Sequence, residues 1–290
     1  MKHAYLILAH TEFEILKFLI ASLDDARNHI FIHFDKKVVE LPELQIKYAR
    51  LTYLTNRIDV RWGDKSVVEA ELALFDAAYK IGEFNYYHLL SGVDMPLKSQ
   101  DYIHEFFKKN NGKEFIGYFQ GNVENEITRK VKKVHLFSKD FRSNGTLLSL
   151  VKKITRAVFV RLQYLFSISR YESTNFKKGT QWVSITPNLV ELVLKNKSKL
   201  LHLYKNSFCS DEIFLQTLCW NSSLKENIYN VNDEAYGCMR MISWKDGEML
   251  TWTNQDYNIL IESNFLFARK FTNQHIKVVK RIFNRISGHE

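Results

Sequence analysis

The chain opens with a continuous apolar run, Lys2 to His10, in which Ala4-Tyr5-Leu6-Ile7-Leu8-Ala9 follow without a polar break. Behind it, from Glu12 to Leu23, Ile15, Leu16, Phe18, Leu19 and Leu23 recur on a helical period. A second apolar run, His29 to Asp35, completes a strand, helix, strand unit. Unbroken apolar strands of this kind belong to a parallel sheet buried on both faces. In such sheets ligands bind beyond the carboxyl ends of the strands, where His10 and Asp35 fall. Asp35, followed by Lys36 and Lys37, reads either as a solvated strand end or as a ligand contact.

Arg50 to Leu54 reads as a third short strand. A loop from Arg57 to Ser66 then leads into a helix ending near Ile81. In that loop Trp62 precedes Gly63, which frees the backbone ahead of a helix start whose N–H groups suit an anion or a ligand hydroxyl. The strand Asn85 to Leu90 breaks at Ser91-Gly92, Asp94 follows, and Pro96 stiffens the exit before a helix over Tyr102 to Phe107. Asp94 is a turn acid or a ligand contact. Glu114 to Phe119 reads as the next strand.

From Thr128 to Lys178, Lys and Arg are interleaved with apolar residues, and Val151 to Phe166 reads as a basic amphipathic helix. Such a helix packs on the main domain with a solvated face, faces anionic lipid, or docks an acceptor. Lys178 to Thr186 is strand-like and enters a helix at Pro187. Gly179 there admits a sugar or another backbone, and Trp182 is either core or a flat platform for a sugar ring. At Ser210-Asp211-Glu212 a helix N-cap is expected, with two acids in the first turn and an apolar body behind. The acids are dipole partners, or Glu212 is a base at the rim of a cleft. Ile228 to Val231 and Met239 to Trp244 read as late strands, and Lys245 to Glu248 as a turn. Arg240 lies in an apolar context and needs an anionic partner, a protein carboxylate or a diphosphate. Phe267 to Phe271 sets Arg269 and Lys270 between aromatic residues, ahead of a basic helix over Asn273 to Ile286.

Composition narrows the classes. With 290 residues, 46% hydrophobic and 25% charged, the chain is an ordinary globular α/β protein of one large or two small domains. A net charge of +9 with 14% aromatic residues points to an anionic partner. A nucleic-acid-binding α/β protein is the competing reading on this charge, but no RNP, KH, zinc-finger or helix-turn-helix pattern supports it and nucleic acid is not expected as a partner. Cys209, Cys219 and Cys238 lack metal or disulfide spacing and fit reduced core thiols. No secretory signal and no apolar run of ~20 residues is visible, so a cytoplasmic chain, at most peripheral on the inner face of a membrane, is expected. The sequons at Asn144 and Asn221 matter only where a glycosylation machinery is met.

The motifs His33-Phe34-Asp35-Lys36-Lys37, Trp62-Gly63-Asp64-Lys65-Ser66, Leu90-Ser91-Gly92-Val93-Asp94-Met95-Pro96-Leu97, Gly179-Thr180-Gln181-Trp182, Ser210-Asp211-Glu212 and Phe267-Ala268-Arg269-Lys270-Phe271 occur in this order. Together they resemble the core-2/I-branching β-1,6-N-acetylglucosaminyltransferase family, which also includes the peptide O-xylosyltransferases. The resemblance implies one Rossmann-like GT-A-type domain over residues 1–290. Residues 1–120 would form a nucleotide-sugar half, 121–178 a variable basic insertion, and 179–290 an acceptor and catalytic half.

It further implies an inverting transfer from a UDP-sugar to a glycan or lipid-linked oligosaccharide, with UDP-GlcNAc favoured over UDP-xylose. Glu212 would be the base with Asp211 in support, and Asp35 would lie near the uracil. Arg240 and Lys270 would contact the diphosphate, with no metal or cofactor. His10, Trp62, Gly63, Ser91, Gly92, Asp94, Gly179, Gln181, Trp182 and Arg269 would line the donor and acceptor cleft. The chain has no Asp-x-Asp motif, so the charge on the leaving diphosphate falls to protein cations. A fold that binds a glycan without turnover is the alternative within this resemblance.

Overall fold

In the computed structural model, which describes residues 1–288 apart from 83, 143, 144 and 246, the two apolar runs become β1 (His3–Ala9) and β2 (Asn28–Phe34). They pair in parallel from His3 opposite Asn28 to Ala9 opposite Phe34, with α1 (Phe13–Ser22) as the crossover. β3 (Arg50–Tyr53) extends the sheet beyond β2. The chain then returns through α2 (Ser66–Ile81) to place β4 (Tyr86–Ser91) on the other side of β1. β6 (Ser184–Ile185) closes that edge antiparallel to β4, giving the order β3-β2-β1-β4-β6. The winding direction reverses between β1 and β4, which leaves a crevice at their carboxyl ends.

Side chains alternate across the sheet, as the pleat requires. Tyr5, Ile7 and Ala9 of β1 join a core with α1, α3 (Gln100–Lys109), α10 (Tyr257–Glu262) and α11 (Ile276–Ile286). Ala4 and Leu6 face a second core with α2, α6 (Pro187–Lys195), α7 (Lys197–Leu203) and α8 (Phe214–Trp220). A smaller sheet carries the C-terminal motif, with β10 (Phe267–Arg269) between β5 (Met95–Pro96) and β7 (Arg240–Ile242). β8 (Trp244–Lys245) and β9 (Glu248–Met249) form a hairpin whose turn residue Asp246 lies outside the described residues. Residues 121–178 hold α4 (Glu124–Ile127) and α5 (Leu147–Leu165), and α9 (Glu234–Cys238) precedes β7.

Two expected strands are not strands. Glu114 to Phe119 and Ile228 to Val231 meet only in single bridges, Glu114 with Ile228 and Phe115 with Ser184. The buried Glu114 carboxylate accepts from the Thr186 amide and hydroxyl at the start of α6. That ties the segment to a helix end. The three cysteines are free and buried, as expected of core thiols. Of the sequons, Asn144 lies outside the described residues. The Asn221 amide is committed to the carbonyls of Asn175 and Thr217. Among the described residues no helix is long and apolar enough to cross a membrane.

Candidate active site at the strand ends

The carboxyl ends of β1, β2 and β4 assemble the first part of the site. Beyond β2, Asp35 is buried, and its carboxylate accepts from the Lys37 amide at 2.8 Å and the Lys37 ammonium at 2.7 Å. His10, Phe13, Asp35 and Lys37 line an open pocket there. Burial lowers the His10 imidazole pKa, partly opposed by the charge on Asp35. Beyond β4, Ser91 donates to the buried Asp94 from its amide at 3.0 Å and its hydroxyl at 2.8 Å. Burial raises the Asp94 carboxyl, and Arg269, at 3.4 Å, is the main opposing charge.

Arg269 extends from the end of β10 with its guanidinium 4.0 Å from the Trp182 ring centre. Its buried Nε and Nη1 have no hydrogen-bond acceptor among the described residues. Lys270 follows, half-buried, and among the described residues its ammonium has no ion-pair partner. Arg240 is placed differently from the expectation that it faces a diphosphate. It is 2% exposed and donates to the carbonyls of Cys238 and Val183 and the hydroxyl of Ser184, with its guanidinium over the Phe267 ring. Its anionic partner is replaced by backbone carbonyls, so in this arrangement the side chain faces the core.

The second part of the site centres on Glu212, and here the helix-cap reading fails. Ser210–Glu212 form a separate 3-10 turn, and α8 begins only at Phe214. Ser210 caps no helix, and its buried hydroxyl has no partner among the described residues. Tertiary pairing is the cause: the Phe208 amide is held by the Lys130 carbonyl at 2.8 Å and the Cys209 amide by the Gly63 carbonyl at 2.9 Å. Cys209 then takes a left-handed conformation, and the turn is set before a helix can start.

Counter-charge for Glu212 therefore comes from lysines. Lys130 lies 2.7 Å from Glu212 Oε2 and 2.7 Å from Glu126, and Lys178 lies 3.8 Å from Oε2. Burial opposes the charge on Lys130, yet the two glutamates raise its pKa overall. Oε1 of Glu212 carries no hydrogen bond among the described residues.

Beneath Glu212 lies a buried pair of acids. Asp211 Oδ1 and Glu71 Oε2 have no hydrogen-bond partner among the described residues, and Gln181 donates to Glu71 Oε1 at 2.6 Å. Burial first, then the charge of Glu212, raises the Asp211 carboxyl, and burial followed by Asp211 raises Glu71. The folded chain thus retains protons that the unfolded chain releases above the ordinary carboxylate range. The stability this gives is complete only below about pH 4 and is lost as pH rises through the raised values. Asp211→Asn is expected to flatten this decline in a thermal-unfolding series. Parallel wild-type and variant profiles would rule the protonated pair out.

Two glycines close the frame. Gly63 has φ +76°, and a Cβ there would lie 2.6 Å from the Phe208 ring, which packs on Trp62. Trp62 is 45% exposed and stacked beneath Arg142, whose guanidinium lies 3.9 Å from the ring centre. Gly179 is met by backbone: a Cβ would fall 1.8 Å from the Gly117 carbonyl oxygen. Its amide donates to the Glu212 carbonyl at 2.9 Å. Trp182 is 6% exposed, so its ring serves chiefly as core beneath Arg269. Gly92 packs against Ala9 at the crevice floor.

Asp94, Arg269 and Trp182 thus come together, as do Gly179, Gln181, Asp211 and Glu212, while Asp35 and His10 line their own pocket. Lys130, Glu126, Lys178 and Glu71 were not singled out by the sequence. The first three share the run of basic and acidic residues with many solvated neighbours, and Glu71 sits on an ordinary helical period.

A family model of the core-2/I-branching enzymes matches residues 3–276. No curated protein sequence matches the chain. Among solved structures, mouse xyloside xylosyltransferase 1 in its apo form aligns over 92% of this chain and 97% of its own, with 11% identity and a TM-score of 0.39. The family match runs from β1 to the first residue of α11 and so takes in the strand-end crevice, the Glu212 turn and the Arg269-Lys270 pair. The chain is a glycosyltransferase and belongs to the core-2/I-branching enzyme family.

Proposed function

We propose that this glycosyltransferase moves a sugar, GlcNAc in preference to xylose, from its UDP conjugate to a glycan hydroxyl, with inversion and without a metal. One observation carries the reading. Gly179–Trp182 touches Glu212 through the Gly179 amide at one end and Arg269 through the Trp182 ring at the other. Its end-to-end reach is at most about 10 Å. The turn that carries a carboxylate base and a cation with unused donors are thus anchored at the two ends of one short segment.

In this reading Glu212 Oε1 takes the proton of the acceptor hydroxyl as that oxygen bonds to the anomeric carbon. The bond from that carbon to the β-phosphate oxygen breaks, and UDP departs with the electron pair. Attack opposite the leaving group turns an α-linked donor into a β-linked product. Arg269 and Lys270 neutralise the departing diphosphate, the former through paired N–H donors and the latter as a point charge. Asp35 and His10 flank the uracil pocket. Arg240 holds Val183 and Ser184 in place behind Arg269.

Calorimetry across UDP-sugars, followed by transfer assays in excess EDTA, tests this directly. UDP-GlcNAc is expected to bind more tightly than UDP-xylose, and turnover is expected to survive chelation. No UDP-sugar binding would remove the reading. Activity lost to EDTA and restored by Mn²⁺ would replace the protein cations with a metal.

A further inference from the structure

Helix α5 (Leu147–Leu165) is amphipathic with its polar side inward. Toward the protein, Ser149 and Gln163 are buried at 6% and 2% exposure. Gln163 exchanges two hydrogen bonds with the Val134 backbone, Lys152 pairs with Asp140 at 2.8 Å, and Arg156 lies over the Phe141 ring. Toward solvent stand Leu147, Val151, Ile154, Val158, Leu162 and Leu165, between 44% and 79% exposed. Their spacings of four, three, four, four and three residues put them in one stripe along the helix. A helix of this length carries that stripe for about 28 Å. Phe166, 67% exposed, prolongs it.

We propose that this stripe lies in the headgroup region of an anionic lipid bilayer, parallel to its plane. Charge selects the occupant. Between Leu147 and Leu165 the chain carries Lys152, Lys153, Arg156 and Arg161 and no acid; Lys152 and Arg156 engage the protein, and Arg161 flanks the stripe. A second copy placed on the stripe would bring its own Arg161 and a chain of net charge +9 against the first, whereas anionic headgroups complement both. Arg161 is exposed three residues beyond Val158, at the edge of the stripe, where its stem follows the apolar face and its head reaches phosphate. Four cations in nineteen residues also keep the helix from crossing, so it rests on the surface.

The test uses the full chain and two variants, Val151→Ser/Ile154→Ser/Val158→Ser and Arg161→Glu. All four positions are exposed, so thermal unfolding is expected to be unchanged. Cosedimentation is measured with vesicles of phosphatidylcholine alone and with about one quarter phosphatidylglycerol. Wild type is expected to bind the anionic vesicles at least about tenfold more tightly than the neutral ones, and the triple variant to lose about tenfold or more. Arg161→Glu is expected to lose a smaller factor that shrinks with added salt.

Binding of wild type to neither vesicle, or binding indifferent to the triple substitution, would overturn the proposal. So would a wild-type dimer in light scattering that the triple variant dissolves. UDP-sugar calorimetry on the triple variant keeps this outcome separate from that of the catalytic reading.

Discussion

Glu212→Gln is expected to leave UDP-sugar affinity within about twofold while lowering the transfer rate by roughly 10²–10⁴-fold. The amide keeps the shape of the carboxylate and still accepts from Lys130, so the turn that holds it is retained. What it loses is the capacity to take a proton, and the acceptor hydroxyl is barely ionised without a base. Isothermal titration with UDP and a single-turnover transfer assay separate the two effects. A variant that transfers within tenfold of wild type would pass the base role to another group.

Lys270→Ala is expected to reduce kcat/KM for the UDP-sugar by about 10²–10³-fold, the scale of losing one charge stabiliser aimed at a leaving group. Its ammonium has no ion-pair partner among the described residues, so little folding stability depends on it. The unfolding midpoint without ligand should therefore stay put while the rise produced by UDP shrinks. An undiminished UDP-induced rise would assign the diphosphate to other cations. Arg269 is a less clean probe, because its removal also uncovers Trp182 and leaves Asp94 buried without its charge partner.

The parallel half of the fold was legible because continuous apolar runs and one helical period specify a βαβ unit almost residue by residue. Asp35, Asp94 and His10 were legible as strand-end positions for the same reason. The environment of Glu212 was not, since Lys130 reaches it across 82 positions of chain and looks like any other lysine of a basic stretch. The failed cap at Ser210 has a similar origin: local propensity favoured a helix start, and two backbone hydrogen bonds to distant segments decided otherwise. For Arg240, apolar neighbours correctly announced burial. Its partners are carbonyl oxygens, which every residue owns and no side chain advertises. The amphipathicity of α5 was plain in the sequence, but a periodic pattern cannot say which face the rest of the molecule covers.

The contact of Gly179 with Gly117 also bears on how such a chain can change. The Phe119 amide meets the Lys178 carbonyl at 2.9 Å, so the segment from 119 to 178 leaves and re-enters the molecule through one narrow doorway. A loop whose ends are already joined costs little more when lengthened, since closure entropy grows only with the logarithm of its length. That segment can therefore change in length, provided it keeps Lys130 at both Phe208 and Glu212 and returns Ile127, Val131 and Phe176 to the core. Diversification of such a scaffold would run through the doorway and leave the parallel sheet untouched.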